Sequence, residues 1–212
     1  MKVLQVYNDL FRDIGPQKWW PISGMFRPPE FEVCVGAILT QNTSWKNVEK
    51  ALQNLVGAGK TSPESIGSCP LPALEKLVRP SGFFRQKAGR LKEFSGFIIS
   101  FDGDFYKSVT RDELLAIKGI GRETADSMLL YACNRPVFVV DAYTRRLFSR
   151  LGLIEGDEDY DKLRDMFEKS LPNNAGLYKE FHALIVEHEK RRRKKPDHRC
   201  LFISRRQYFQ SN

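Results

Sequence analysis

The sequence is poor in the residues that build metal and redox centres. Its 212 residues include three histidines and four cysteines. Cys34, Cys69, Cys133 and Cys200 stand far apart with no C-x-x-C pair, so neither a disulfide framework nor a zinc site is suggested, and buried free thiols are the expected state. His182, His188 and His198 with Cys200 match no standard ligand spacing. Long apolar runs are missing too. The longest, about Val33 to Leu39, falls far short of the roughly 18 residues that a bilayer span needs. No signal peptide opens the chain, and the expectation is a cytoplasmic protein without a membrane partner. Internal repeats and low-complexity linkers are absent as well, so any two-lobed arrangement requires the chain to leave one lobe and re-enter it.

Acidic residues are in deficit, with 26 Asp and Glu against 34 Lys and Arg for a formal charge of +8. That balance favours a polyanionic partner, nucleic acid or an anionic membrane, over a neutral metabolite. The hydrophobic share of 42% and charged share of 28% are those of a folding globular chain, which excludes a disordered or fibrous one. Apolar residues recur at helical spacing, as in Phe31, Cys34, Val35, Ile38 and Leu39, and again in Leu91, Phe94, Ile98 and Ile99. Breakers such as Gly57, Pro80, Asp102, Pro136 and Pro172 leave room for nine or ten helices. The one strand-like stretch, Val137 to Val140, has no second β-branched run to pair with and reads as a buried extended connector. The predicted fold class is all-α.

The segment Leu114 to Asp126 carries the most information. Gly119 and Gly121 flank Ile120 between two helical patterns. Glycine suits a tight turn because positive φ costs it little, and Ile120 can anchor that turn in the core. The helix that follows begins with N–H groups lacking intrahelical partners, at the positive end of its dipole, a seat for one phosphate. Such a turn can equally be an ordinary connection between helices. Twenty residues after Gly121, beyond the connector, stands Asp141, followed by Ala142 to Leu147 in helical register.

The pattern L-x-x-I-x-G-I-G-R-x-T-A, followed by V-V-D, resembles the endonuclease III superfamily of helix-hairpin-helix DNA glycosylases, and the resemblance covers nearly the whole chain. It implies a bilobal helical fold with a DNA cleft between the lobes. A central helical-barrel lobe would span residues 29–136, with the hairpin at about 111–133, and a second lobe would be made from 1–28 and 137–212. The expected partner is double-stranded DNA carrying a damaged base, bound by a monomer.

Asp141 matches the family's catalytic aspartate, a carboxylate set against the positive charge that builds on the sugar as the base departs. Capping its own helix is the plainer role, and the two are compatible. Lys118, Gly119, Gly121 and Arg122 would bind a DNA phosphate. Gln41, in Leu39-Thr40-Gln41-Asn42-Thr43, looks like the residue inserted into the duplex. Relatives that also cut the strand place a lysine directly after the hairpin arginine; here Glu123 stands there, so the resemblance implies a monofunctional enzyme. A displaced lyase role for Lys118 is the alternative. Many relatives end in four cysteines that hold an iron-sulfur cluster, but this chain keeps only Cys200 in that region, so no cofactor is expected. The basic run Arg191 to Lys195, with Arg205 and Arg206, would contact DNA instead, or else be a solvated helix end.

Trp19 and Trp20, with Arg79 to Phe83 and Glu123, look most like the 3-methyladenine DNA glycosylase III branch. N-alkylated purines are cationic and good leaving groups, so an aromatic box of Trp20 and Trp45, with Trp19 beside it, would select them without a strong general acid. These tryptophans could instead be large core residues. The competing functions are a mismatch or oxidised-purine glycosylase, a glycosylase with lyase activity, or a non-catalytic module that grips the DNA backbone through the hairpin.

Overall fold

The computed structural model describes residues 2–17, 19–20 and 22–194. His198, Cys200, Lys195, Arg205 and Arg206 lie outside the described residues. All regular structure among those described is helical, in twelve α-helices with a 3₁₀ turn and a π turn. This exceeds the nine or ten expected, because Pro63–Gly67 and Phe105–Ser108 are helices of five and four residues, too short to show a period.

The chain divides into two units, one built from residues 1–20 and 134–212, the other from 21–133. The predicted boundaries lay eight and three residues further along. Residues 22–28 join the continuous unit because Glu32, itself buried, accepts hydrogen bonds from Ser23 N at 2.6 Å, Ser23 Oγ at 3.0 Å and Gly24 N at 3.2 Å. Phe26 is buried beside Phe31, and Arg27 N donates to Thr61 O.

In the continuous unit, α2 (Pro29–Leu39) is buried at every position from Phe31 to Leu39, as a helix apolar on all sides must be. Around it run α3 (Trp45–Gly57), α4 (Pro63–Gly67), α5 (Leu71–Val78), α6 (Phe84–Ser100), α7 (Phe105–Ser108), α8 (Arg111–Ala116) and α9 (Arg122–Ser127), the last continuing through a π turn over Met128–Ala132. Phe31 stacks on Phe94, which meets Phe105 edge-on. Lys87 is buried yet satisfied, its Nζ donating to Leu39 O at 2.8 Å and Ser81 O at 2.7 Å, so α6 holds the end of α2 in place. Burial and then the charge of Arg90 push its ammonium down to about 8.

In the discontinuous unit, α1 (Lys2–Ile14) packs on α12 (Ala175–Lys194), which also carries α10 (Ala142–Leu151), and α11 (Tyr160–Ser170) packs on α1. Phe138, Phe148, Phe167, Tyr178 and Phe181 form its aromatic core, with Phe138 stacked on Phe167 at 4.4 Å. The stretch Val137 to Val140 is a connector outside any helix, with Phe138, Val139 and Val140 buried. Its amides bond sideways to α11: Phe138 N donates to Glu168 Oε1 at 2.8 Å. This anchoring fixes where Asp141 emerges.

Candidate active site

Asp141 is the N-cap of α10. Its Oδ1 accepts from Thr144 N at 2.7 Å and from Thr144 Oγ1 at 3.0 Å, so the predicted capping role is realised. The other oxygen, Oδ2, lies 3.4 Å from Nε2 of His182, a buried residue of α12. Burial by itself would raise the Asp141 carboxyl, but the His182 imidazole and the two Thr144 donors outweigh it and hold the group below the usual carboxylate range. Asp141 is therefore an anion at neutral pH, fixed by one oxygen and steadied at the other.

Aromatic rings gather beside this pair. The Trp19 ring lies 6.3 Å from that of His182, and Trp20 meets Trp19 edge-on at 6.2 Å. Both tryptophans are half-buried, unlike the core phenylalanines. Lys190 Nζ sits over the Trp19 ring at 5.0 Å from its centroid. Neither His182 nor Lys190 was singled out for this site from the sequence; both reach it from α12, more than forty positions after Asp141, through tertiary packing.

The hairpin lies in the other unit. Ile117 and Ile120 are buried while Lys118, Gly119, Gly121, Arg122 and Glu123 are exposed, so the turn is pinned from beneath and presents its polar edge. Only Gly119 has positive φ, at 84°; Gly121 is the N-cap of α9 with φ −92°, so the conformational argument applies to one glycine and not to both. A Cβ on Gly119 would also lie 2.2 Å from Arg90 Nε, whereas one on Gly121 would meet nothing. Arg111 and Asp126 form a two-bond ion pair, Nε to Oδ1 at 2.6 Å and a second nitrogen to Oδ2 at 3.1 Å, that locks α8 to α9.

Gln41 is folded onto this hairpin. Its Nε2 donates to Gly119 O at 3.1 Å and Thr124 Oγ1 at 3.0 Å, and its Oε1 accepts from Arg90. Arg90 and Thr124 were not marked by the sequence reading. Trp45 opens α3 in the same unit, half-buried, with its indole nitrogen enclosed. The candidate residues thus form two groups: Asp141, Trp19 and Trp20 in the discontinuous unit, and Gln41, Trp45 and the hairpin in the continuous one. Among the described residues no cluster of three or more His, Cys, Asp or Glu side chains is arranged to hold a metal ion.

The profile of the HhH-GPD superfamily base excision DNA repair proteins matches residues 35–173, which include the hairpin and Asp141. The chain belongs to that superfamily. A candidate DNA repair glycosylase of Methanocaldococcus jannaschii is 46% identical over 197 residues, covering 89% of this chain and 87% of its own. The endonuclease III of Thermotoga maritima is 30% identical, over 76% and 73% of the two chains. The crystal structure of the H. pylori 3-methyladenine DNA glycosylase bound to 1,N6-ethenoadenine superposes with a TM-score of 0.76 at 36% identity, over 90% of this chain and 97% of that one. The protein is a DNA repair glycosylase of the HhH-GPD superfamily, all-helical like its structural neighbours, with the 3-methyladenine enzyme among them.

Proposed function

We propose that this HhH-GPD protein is a monofunctional glycosylase that hydrolyses the N-glycosidic bond of an alkylated purine in double-stranded DNA, acting as a monomer and without an iron-sulfur cluster. The observation that carries the reading is the Asp141 carboxylate, ionised and held by Thr144 and His182 beside two tryptophans.

The target base must leave the duplex stack before its bond is reached, and contacts in a pocket offset that cost. As the C1′–N bond breaks, its electron pair leaves with the base and positive charge develops on the sugar. Asp141 would lie opposite that charge and stabilise it, then orient the water that adds to C1′ and accept the proton that this water gives up as the new C1′–O bond forms. A cationic alkylpurine departs as a neutral base and needs no protonation, which fits a site whose carboxylate is held ionised rather than kept as an acid. The likeness to the 3-methyladenine glycosylase supports this class of lesion.

Strand cleavage would require an amine to form an imine with the sugar aldehyde, and Glu123, second residue of α9, has none to offer. In the hairpin, Lys118, Gly119, Gly121 and Arg122 are all exposed around the start of α9, where a backbone phosphate would dock. Gln41 would give up its bonds to Gly119 and Thr124 to enter the duplex.

The test is Asp141→Asn assayed on a panel of damaged oligonucleotides. Base release from an alkylated duplex should vanish while DNA affinity stays within a few fold, because the change removes transition-state stabilisation and few ground-state contacts. Release at near wild-type rate would remove Asp141 from the chemistry.

A further inference from the structure

The cationic end of α12 is not uniform once its side chains are traced. Arg191 Nε donates to Glu187 Oε1 at 2.7 Å, a pair along the helix itself. Arg192 and Arg193 instead line a cavity of about 490 Å³ together with Arg146 and Arg150 of α10 and Glu189 of α12. Glu189, the acid of that lining, is buried and already engaged: Arg150 donates to its two oxygens at 2.6 and 3.3 Å, and His188 Nδ1 lies 3.0 Å away. Among the described residues no lining carboxylate is left to balance Arg146, Arg192 and Arg193. Arg146 is further oriented by lying over the Tyr143 ring, 4.6 Å from its centroid.

Guanidinium groups from two helices directed at one cavity repel each other unless an anion enters. Their planar forks match a phosphate, which can accept two parallel N–H bonds from each. The cavity exceeds what one phosphate fills, leaving room for the sugar on either side of it. We propose that the Arg146, Arg150, Arg192 and Arg193 cavity is a phosphate-binding site, and that the DNA backbone supplies the phosphate. This rests on the reading of the protein as a DNA-acting enzyme, but not on which base it removes.

The experiment measures binding of the full-length protein to an undamaged duplex across a salt series, for wild type, Arg146→Ala, Arg192→Ala, Arg193→Ala and Arg191→Ala. Each of the three cavity variants should flatten the slope of log K against log salt by about 0.9, the value of one lost phosphate contact, while Arg191→Ala leaves it unchanged. In parallel, thermal melting is followed with pyrophosphate against chloride at matched ionic strength. Pyrophosphate should raise the wild-type Tm, and Arg192→Ala or Arg193→Ala should abolish the rise. Without phosphate at low salt these variants should melt at or above wild type, since repulsion is relieved.

A pyrophosphate shift with unaltered DNA slopes would mean that the cavity takes free phosphate, overturning its assignment to DNA. Equal slope changes for Arg191→Ala and the cavity variants would reduce the site to a diffuse charged surface. Loss of neither slope nor shift would dispose of it altogether. Failure of wild type to bind DNA at all would instead strike the functional reading, and is separable from all three.

Discussion

Asp141 and His182 face each other across α10 and α12 at 3.4 Å, and the histidine steadies the carboxylate oxygen that Thr144 leaves open. His182 is thus a positioning residue for Asp141. With the imidazole gone, burial becomes the dominant influence and the carboxyl must rise. His182→Phe should therefore move the acid limb of excision to higher pH. DNA affinity should hold, and an unshifted limb would mean that the imidazole has no hold on Asp141.

The two hairpin glycines should respond differently to alanine. At position 119 a methyl group meets Arg90 and the backbone has positive φ, so Gly119→Ala should cost about 1–2 kcal/mol of stability and disturb Gln41 through Arg90. At position 121 the backbone is extended and the space is open, so Gly121→Ala should melt within about 0.5 kcal/mol of wild type. Its DNA affinity should nonetheless fall, because the added methyl stands where a phosphate would approach the first amides of α9. Unchanged affinity in Gly121→Ala would mean that no phosphate comes there.

What could be read from the sequence was local. The hairpin, its Ile120 anchor and the Asp141 cap each depend on residues within a few positions, and the connector whose Phe138, Val139 and Val140 are buried follows from its own composition. Contacts made by packing left no such trace. His182 lies 41 positions from Asp141, Arg90 lies 49 from Gln41, and Lys190 comes from the far end of the chain to cover Trp19. The N-terminal edge of the continuous unit has the same kind of origin: Glu32 draws residues 22–28 to itself by a side-chain clamp that no periodicity announces. Even the basic run was legible only as a run, since helical geometry separates Arg191 from Arg192 and Arg193.

Glu189 makes acid stability measurable. Burial would raise it, but the hydrogen bonds of His188 and Arg150 prevail and bring it to about 2, below the unfolded value near 4.5. A carboxyl depressed on folding stabilises the native state above its unfolded pKa, and the contribution is lost as pH falls through the folded one. The protein should therefore lose stability between about pH 4.5 and 2, and Glu189→Gln should flatten that part of the curve while lowering stability at pH 7. Parallel acid-denaturation curves would exclude Glu189 as a source.

Absence of lyase chemistry is checked by trapping. With Glu123 in place of an amine, incubation with abasic DNA and borohydride should yield no covalent adduct, and the strand should stay intact after base release. Lys118, exposed on the turn, is the nearest lysine in sequence to that position. An adduct that disappears in Lys118→Ala would overturn the monofunctional reading and name the nucleophile.

The choice of lesion turns on Trp20. Lys190 already lies over the Trp19 ring, so on that face a second cation would be repelled, and in the proposed reading the cation-attracting role falls to Trp20. Cation-π attraction in a desolvated site is worth about 2 kcal/mol, or a preference of roughly thirtyfold for a charged purine over a neutral one of similar shape. Trp20→Leu keeps an apolar wall and deletes the π face. Excision of 3-methyladenine should fall by at least tenfold more than that of neutral hypoxanthine, and because Trp20 is only half-buried the melting temperature should stay close to wild type. Lys190→Met provides the opposite test, since removing the resident cation should favour charged substrates further. Equal losses on both bases in Trp20→Leu, with no gain in Lys190→Met, would leave the tryptophans as packing residues and the alkylpurine assignment without its physical basis.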